Sequence, residues 1–246
     1  MHTVRVMLTA TAGALLAGAT PGAAQRPERY TLSGDNVAVY NLAGVLRVEA
    51  GSAGDVVVEV TRGGADAAKL RIESGPLRSR STLRVVYPDD RIVYPLMGHH
   101  TSTTLEVCDD GTFNDHEGRR RFGGGHRVRI SANGRGLEAH ADLRVAVPAG
   151  KRVAVNLAVG RVFVSNISGD LRVDVAAANV TADHTKGSLH VDTGSGDIKL
   201  SDAEGDVSLD TGSGNVVVTG ARGRQLKLDT GSGTSPPSGW RSTCSR

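Results

Sequence analysis

The chain carries apolar residues in pairs, with one intervening residue in each pair; from Val153 to Val216 these pairs recur every nine residues, and the last pair follows after ten. A period of two is that of a β-strand with one buried face, and glycines such as Gly169, Gly187 and Gly205 separate the pairs. The pairs are Val153/Val155, Val162/Val164, Leu171/Val173, Val180/Ala182, Leu189/Val191, Ile198/Leu200, Val207/Leu209, Val216/Val218 and Leu226/Leu228. This pattern predicts short strands rather than helices.

A longer cycle is superimposed on the strands. The sequence Thr-Gly-Ser-Gly occurs at 193–196, 211–214 and 230–233, after every second strand. One coil is therefore about 18 residues, with two strands and two corners. We predict an all-β, single-domain β-solenoid that is similar to a parallel β-helix, with coils stacked about 4.8 Å apart and inward Val, Leu and Ile in ladders. Aromatic residues make up only 3% of the chain, which suits a thin interior of small aliphatic side chains.

The repeat is predicted to begin near the N-terminus and to be interrupted once. The pairs Val37/Val39, Leu46/Val48 and Val56/Val58 keep spacings of nine and then ten residues. Between about 63 and 136 the period is lost, although strand-like fragments remain, and the regular repeat occupies 143–233. We therefore expect one solenoid domain over 25–233 with an irregular strand and loop insert in its middle.

The two ends of the chain differ from the repeat. Residues 1–24 have the basic start, the apolar run and the small residues before Gln25 that are typical of a secretory signal peptide, with cleavage expected after Ala24. No later segment has the roughly 20 apolar residues of a membrane span. We expect an extracytoplasmic protein, located in the periplasm, at the cell surface or secreted. Residues 234–246 form a non-repeat tail, read either as a cap containing Trp240 or as a truncation remnant.

Charge and cysteine content narrow the function classes. The formal net charge is only +3, and the basic cluster Arg119–Arg121 lacks the interleaved aromatic residues that stack on bases, so nucleic-acid binding is not expected. The two cysteines, Cys108 and Cys244, are permitted to form a disulfide in an oxidising compartment, but the sequence does not decide whether they meet.

Two stretches of the chain carry a family resemblance. These are LRVAVPAGKRVAVNLAVGRVFV, from Leu143 to Val164, and GSLHVDTGSGDIKLSDAEGDVSLDTGSGNVVVTG, from Gly187 to Gly220. They resemble the bacterial β-strand-repeat family called putative adhesins, a domain of unknown function. The resemblance implies a secreted or envelope-associated β-solenoid with a role in adhesion, and it implies no catalytic residues.

A file of acidic residues follows the repeat. Asp174, Asp192, Asp210 and Asp229 each come directly after an apolar pair of the same sheet, and we interpret them as repeat-corner aspartates that accept turn N–H bonds. Calcium between the coils is the alternative, but the Gly-Gly-x-Gly-x-Asp pattern of calcium-binding β-rolls is missing. No cofactor and no metal site are therefore predicted.

The sequence disfavours both a metal site and a catalytic site. The stretch from His99 to His126 is rich in His, Asp and Glu, but it lacks a recognised metal motif and is interpreted as a solvated loop. The outward residues of the repeat contain no carboxylate pair at glycosidase separation. We predict no enzyme activity, and a polysaccharide-active β-helix enzyme is kept as a minor alternative.

The remaining function is binding through a repetitive surface. The candidate binding residues are Arg172, His190, Lys199 and Lys227, which point outward from the repeat. Rows of similar side chains offer many weak contacts in parallel to an unidentified cell-surface or envelope component or polymer. The competing hypothesis is a periplasmic scaffold that self-associates through open solenoid ends.

Overall fold

The computed structural model describes residues 26–52, 54–97, 102–113 and 125–233, and the backbone of 237–238 and 241–242. The expected signal peptide, Trp240 and Cys244 lie outside the described residues, as do His99 and the cluster Arg119–Arg121.

The protein is all-β, as the alternating pattern predicts. The one helical element among the described residues is a 3-10 turn at Ala67–Lys69, and no helix there is long and apolar enough to span a membrane. In chain order the strands are β1 Glu28–Leu32, β2 Asn36–Ala50, β3 Val56–Gly63, β4 Arg71–Leu77, β5 Arg80–Val86, β6 Arg91–Val93, β7 Ser102–Cys108, β8 Gly125–Ser131, β9 His140–Val147, β10 Arg152–Ser195, β11 Ile198–Ser213, β12 Val216–Thr219, β13 Arg222–Gly223, β14 Leu226–Ser232, β15 Pro237–Ser238 and β16 Arg241–Ser242.

Strand pairing follows the 18-residue cycle. Strand β10 pairs with β11 in parallel, with Val180 opposite Ile198, and β11 pairs with β12 with Ile198 opposite Val216. The same spacing recurs within the long strand β10, where Gly187 lies against the carbonyl group of Gly169. From the pairing of β11 with β14 onward, the spacing becomes 19 residues.

The interruption of the repeat follows β2, so one repeat unit precedes the insert. Strand β2 pairs in parallel with the start of β10, with Val37 opposite Val153 and Leu46 opposite Val162, so the chain leaves the stack after β2 and returns at β10. On the other edge of β2 lie β5 and β9, both parallel to it.

The pair Val56/Val58 is the exception to the expected early repeat. It lies on β3, which runs antiparallel to β9 and to β1 instead of continuing the parallel stack. The expectation of a third early repeat unit is therefore wrong. Alternation shows which face of a strand is buried, but it does not show which strand is the neighbour or in which direction that neighbour runs.

Two outward surfaces result, which we call face A and face B. Face A is the outward side of segments 36–41, 152–157, 171–175, 189–193, 207–211 and 226–230, and face B is the outward side of 45–50, 161–165, 180–183, 198–201 and 216–219. The predicted inward pairs of both sets lie in a single core, fully buried from Val153 to Val218, whereas Leu226 and Leu228 are only partly buried.

Threonines close one of the two kinds of corner. Buried Thr211 donates its hydroxyl hydrogen to the carbonyl oxygen of Gly196 at 3.2 Å, and Thr193 makes the equivalent bond to Ala178 at 3.4 Å. The Thr-Gly-Ser-Gly motif is thereby explained as a corner device, because its threonine satisfies a buried carbonyl group of the preceding coil. We call segments 176–179, 194–197 and 212–215 the TGSG corner.

The insert covers the beginning of face A. Its strands β6, β8 and β7 form a separate sheet, and Phe113 packs edge-on against Tyr40 at 5.9 Å between ring centroids. A buried network fixes this arrangement, since the Tyr87 hydroxyl donates to Asn41 Oδ1 at 2.9 Å while Asn41 donates to the Ala141 carbonyl oxygen at 2.7 Å. Burial raises the pKa of Tyr87, so it remains a neutral donor.

The tail differs from the expected non-repeat segment. The short strands β15 and β16 pair in parallel with β12 and β13, so the described backbone of the tail continues the stack instead of crossing its end.

Candidate functional site

Face A carries two files of outward side chains. The register pairs His190 with Ser208 and Ser208 with Lys227, and the 18-residue spacing within β10 places Arg172 beside His190. We call this set the basic file. Neighbouring members are separated by one strand spacing, about 4.8 Å.

An acidic file runs beside the basic file. Asp192 lies opposite Asp210 and Asp210 opposite Asp229, and Asp174 occupies the equivalent position one coil earlier. The guanidinium of Arg172 lies 3.5 Å from the carboxylate of Asp174, so the two files are close enough to form ion pairs. Face A is consequently a flat surface with both signs of charge in rows.

Exposure along face A increases towards the C-terminal coils. Tyr40 and Asn156 occupy the positions equivalent to these aspartates in the first two repeats, and both are buried. Asp174 is also buried, Asp192 and Asp210 are half-buried, and Asp229 and Lys227 are exposed. The accessible part of face A therefore lies in its C-terminal segments, from Asp192 onward.

The aspartates lie within the strands and not at the corners where we expected them. The alternation continues through Asp192 to buried Thr193, so the carboxylate is an outward strand residue and the corner comes later. The outward residues of the repeat therefore include carboxylates in neighbouring strands, which the expectation of no outward carboxylate pair overlooked. At the TGSG corner, other side chains accept the turn N–H groups. Asn179 accepts from the Asp197 N–H at 3.0 Å, and Asp197 accepts from the Asn215 N–H at 2.8 Å.

Lys199 is not on the same surface as the other three candidate binding residues. It lies on face B between Thr181 and Val217, and it is exposed. Farther along face B, Phe163 packs beneath two guanidinium groups, those of Arg47 at 5.5 Å and Arg161 at 5.9 Å from the ring centroid. The structure thus brings together Arg172, His190 and Lys227, but it separates Lys199 from them.

The second kind of corner is dense in charge. We call segments 183–188, 201–206 and 219–224 the charged corner. Lys186 pairs with Glu204 at 3.1 Å, and Asp206 pairs with Arg224 at 3.0 Å, each across one coil. These residues line a groove of about 870 Å³. Because the side chains in these pairs neutralise each other on an exposed surface, each pair contributes little stability and mainly favours the correct register.

A histidine lies between two aspartates at the same corner. His184 Nδ1 is 2.7 Å from Asp183 Oδ2, and His184 Nε2 is 4.0 Å from Asp202 Oδ2. The hydrogen bond to Asp183 and the charge of that carboxylate raise the pKa of His184. Among the described residues, this is one group of three side chains whose ligand atoms all lie within 4.8 Å of one another, a spacing that suits a metal ion.

The loop stretch predicted between His99 and His126 is described only in part. Cys108 is exposed, and Cys244, with which the sequence leaves a disulfide open, lies outside the described residues. His126 lies 3.4 Å from Asp90 and 3.8 Å from Asp109, all three on exposed or half-exposed positions.

Sequence reasoning missed the charged corner. It considered only outward strand residues, and no short motif marks Asp183, His184 and Asp202. The available signal is the 18-residue cycle itself, because Lys186, Glu204 and Arg222 alternate in charge at that spacing and lie in register. Reading every residue against the cycle, corners included, would have found it.

Comparison with known protein families finds a match for part of the chain. Residues 136–236 match the family model described as Toastrack DUF4097, a family of unknown function. The resemblance to a β-strand-repeat domain of unknown function is confirmed for this segment. None of the curated proteins matches the chain.

A search of solved structures finds a crystal structure described as a putative cell adhesion protein from Clostridium sporogenes. It is 8% identical to this chain and has a TM-score of 0.34, and the match covers 83% of this chain and 100% of that one.

Proposed function

We propose that the protein is a non-enzymatic, extracytoplasmic β-solenoid with two strands per coil, which attaches to a surface polymer through face A. The observation that carries the proposal is the pair of in-register files, basic and acidic, on a flat surface that the insert leaves accessible. Parallel pairing at 18-residue intervals supports the coil geometry.

The chemistry of the two files indicates the kind of polymer. A purely anionic chain would be repelled by Asp192, Asp210 and Asp229, and a purely cationic chain would be repelled by Lys227 and Arg172. A polymer with both ammonium and carboxylate groups at regular intervals satisfies both files. Each contact is weak on an exposed surface, so attachment depends on many contacts made at once.

Peptidoglycan sacculi provide such a polymer as a probe. Co-sedimentation of the purified protein with sacculi should be measured for the wild type and for a variant with Arg172→Ser, His190→Ser and Lys227→Ser, since Ser208 shows that serine fits this file. Three lost contacts at roughly 0.5 kcal/mol each correspond to about tenfold weaker binding.

Lys199→Ser is the matched control, because it removes an exposed cation from face B. Binding that is unchanged in the face A variant would contradict the proposal, and equal losses in both variants would indicate nonspecific charge attraction. The ratio of the two effects therefore reports the face that binds.

Assembly through the ends of the stack is the second candidate. It is favoured by Leu226 and Leu228, which are only partly buried whereas their equivalents in the preceding coils, Val207 and Leu209, are fully buried. A scaffold of this kind would form oligomers whose size increases with protein concentration, because exposed strand edges pair with one another.

A further inference from the structure

The charged corner contains one position with a fixed backbone requirement. Asn166, His184 and Asp202, which follow one another at 18-residue intervals, all have positive φ, at 56°, 50° and 50°. Gly220 continues the series with a φ of 70°. Asparagine, aspartate and histidine tolerate this left-handed conformation better than most residues do. The turn therefore requires only a tolerant residue, and the repeat itself does not require an imidazole beside a carboxylate.

The three side chains have a defined arrangement. Asp183 accepts a hydrogen bond from His184 Nδ1 at 2.7 Å, which fixes the ring and leaves Nε2 directed towards Asp202. The 4.0 Å between Nε2 and Asp202 Oδ2 is too long for a hydrogen bond. Two ligand atoms at about 2.1 Å from one tetrahedral zinc ion lie about 3.4 Å apart, so these exposed side chains accommodate an ion when the gap closes by about 0.6 Å.

We propose that His184 and Asp202 bind one divalent transition-metal ion of the zinc class, with Asp183 as the residue that positions the imidazole. His184 Nε2 and the Asp202 carboxylate are the protein ligands, and water completes the coordination because the site is exposed. The Asp183–His184 hydrogen bond corresponds to the carboxylate–histidine–metal arrangement, in which an outer carboxylate orients the ligand and increases its basicity.

The donor set selects the class of metal. Calcium prefers six to eight oxygen ligands, whereas an imidazole nitrogen with a carboxylate suits zinc, copper or nickel. The acidic file of face A offers oxygen atoms only, so its donor set differs from that of His184 and Asp202. The ion would connect two successive coils, since Asp183 lies opposite Ser201 and His184 and Asp202 come from neighbouring turns.

Zinc binding to the purified, untagged protein should be measured by equilibrium dialysis with ZnCl₂ at neutral pH. The variants are His184→Asn, which keeps a side chain that Asn166 shows to be compatible with this backbone, and Asp202→Asn. His190→Asn is the matched control, because it removes a histidine from face A. Circular dichroism of each variant establishes that it is folded.

We expect one zinc equivalent to be lost in His184→Asn and in Asp202→Asn but retained in His190→Asn. Asp183→Asn should keep the site with roughly 10- to 100-fold weaker affinity, the usual effect of removing an outer-shell partner. The proposal is overturned if the wild type and His184→Asn bind the same number of equivalents, or if calcium competes with zinc for the lost equivalent. In the first case the three residues form a charged cluster without a metal, and in the second the site has the chemistry of a calcium site and not that of the zinc class.

Discussion

Substitution of Gly205 tests the close stacking of coils at the charged corner. Gly205 lies directly opposite Gly187 in the parallel register, and its φ is 133°. A Cβ atom at this position would lie 1.9 Å from the Gly187 carbonyl oxygen and 2.8 Å from its carbonyl carbon. An ordinary van der Waals separation is about 3.5 Å, so the strands would have to move apart by about 1.6 Å.

We expect Gly205→Ala to lower the free energy of unfolding by about 4 kcal/mol. Displacement of packed backbone costs about 1–3 kcal/mol, and a φ that favours glycine adds a further 1–3 kcal/mol. With a urea m-value of about 2 kcal/mol/M, the unfolding midpoint should fall by about 2 M. Urea titration followed by far-UV circular dichroism measures this change.

Gly220→Asn is the matched control at the same corner. Gly220 also has positive φ, but the close contact of a Cβ atom there would be with a carboxylate oxygen of the exposed Asp202 side chain, at 2.5 Å, while the nearest backbone atom of the preceding coil, the Asp202 nitrogen, lies at 3.5 Å. Since Asn166 occupies the equivalent position in another coil, the stability should change by no more than about 1 kcal/mol. If Gly205→Ala were as stable as the wild type, or Gly220→Asn were equally destabilised, the reasoning from coil contact would be refuted.

Two further predictions concern single side chains. Thr211→Val should lower the free energy of unfolding by about 1–2 kcal/mol, because it removes the buried hydroxyl that donates to the Gly196 carbonyl oxygen. Thr219→Val is the control at an exposed position and should change the free energy of unfolding by less than about 0.5 kcal/mol. Denaturant titration of both variants measures the two changes. The hydrogen bonds from Lys69 and from the Glu138 N–H lower the pKa of Asp66, so its contribution to stability is present above the unfolded pKa of about 4 and is lost as the pH falls through the lower folded value. The stability difference between the wild type and Asp66→Asn should therefore shrink as the pH is reduced from about 5 to 2, and a difference that stays constant over that range would contradict this assignment.

The regular part of the fold could be predicted because one physical requirement repeats. Each inward position, such as Val207 and Leu209, must be apolar to fill a thin core, and each corner must turn within a few residues, so both periods are visible in the sequence. The interrupted part carries only local alternation. Val56 and Val58 are buried as expected, yet their neighbour is an antiparallel strand that no local pattern identifies.

One feature of the sequence indicates that the beginning of face A is covered. Residues 37–40 are all apolar, a run that is typical of a strand buried on both faces; the outward residues Ala38 and Tyr40 are buried, and Phe113 of the insert packs against Tyr40. Which part of the chain covers them depends on long-range packing, so the sequence alone did not identify it. The charged corner was missed for a different reason, because its residues are brought together only by the stacking register.

Sedimentation velocity of the purified protein across a concentration series, with and without calcium, is the most direct test of attachment through a face of a single molecule. The account predicts a monomer at every concentration, unchanged by calcium, because the binding surface is complete within one chain. A sedimentation coefficient that increases with protein concentration would contradict it and would favour assembly through strand edges. A change in the sedimentation coefficient that occurs only with calcium would contradict it as well, because it would indicate that the acidic file binds a metal ion.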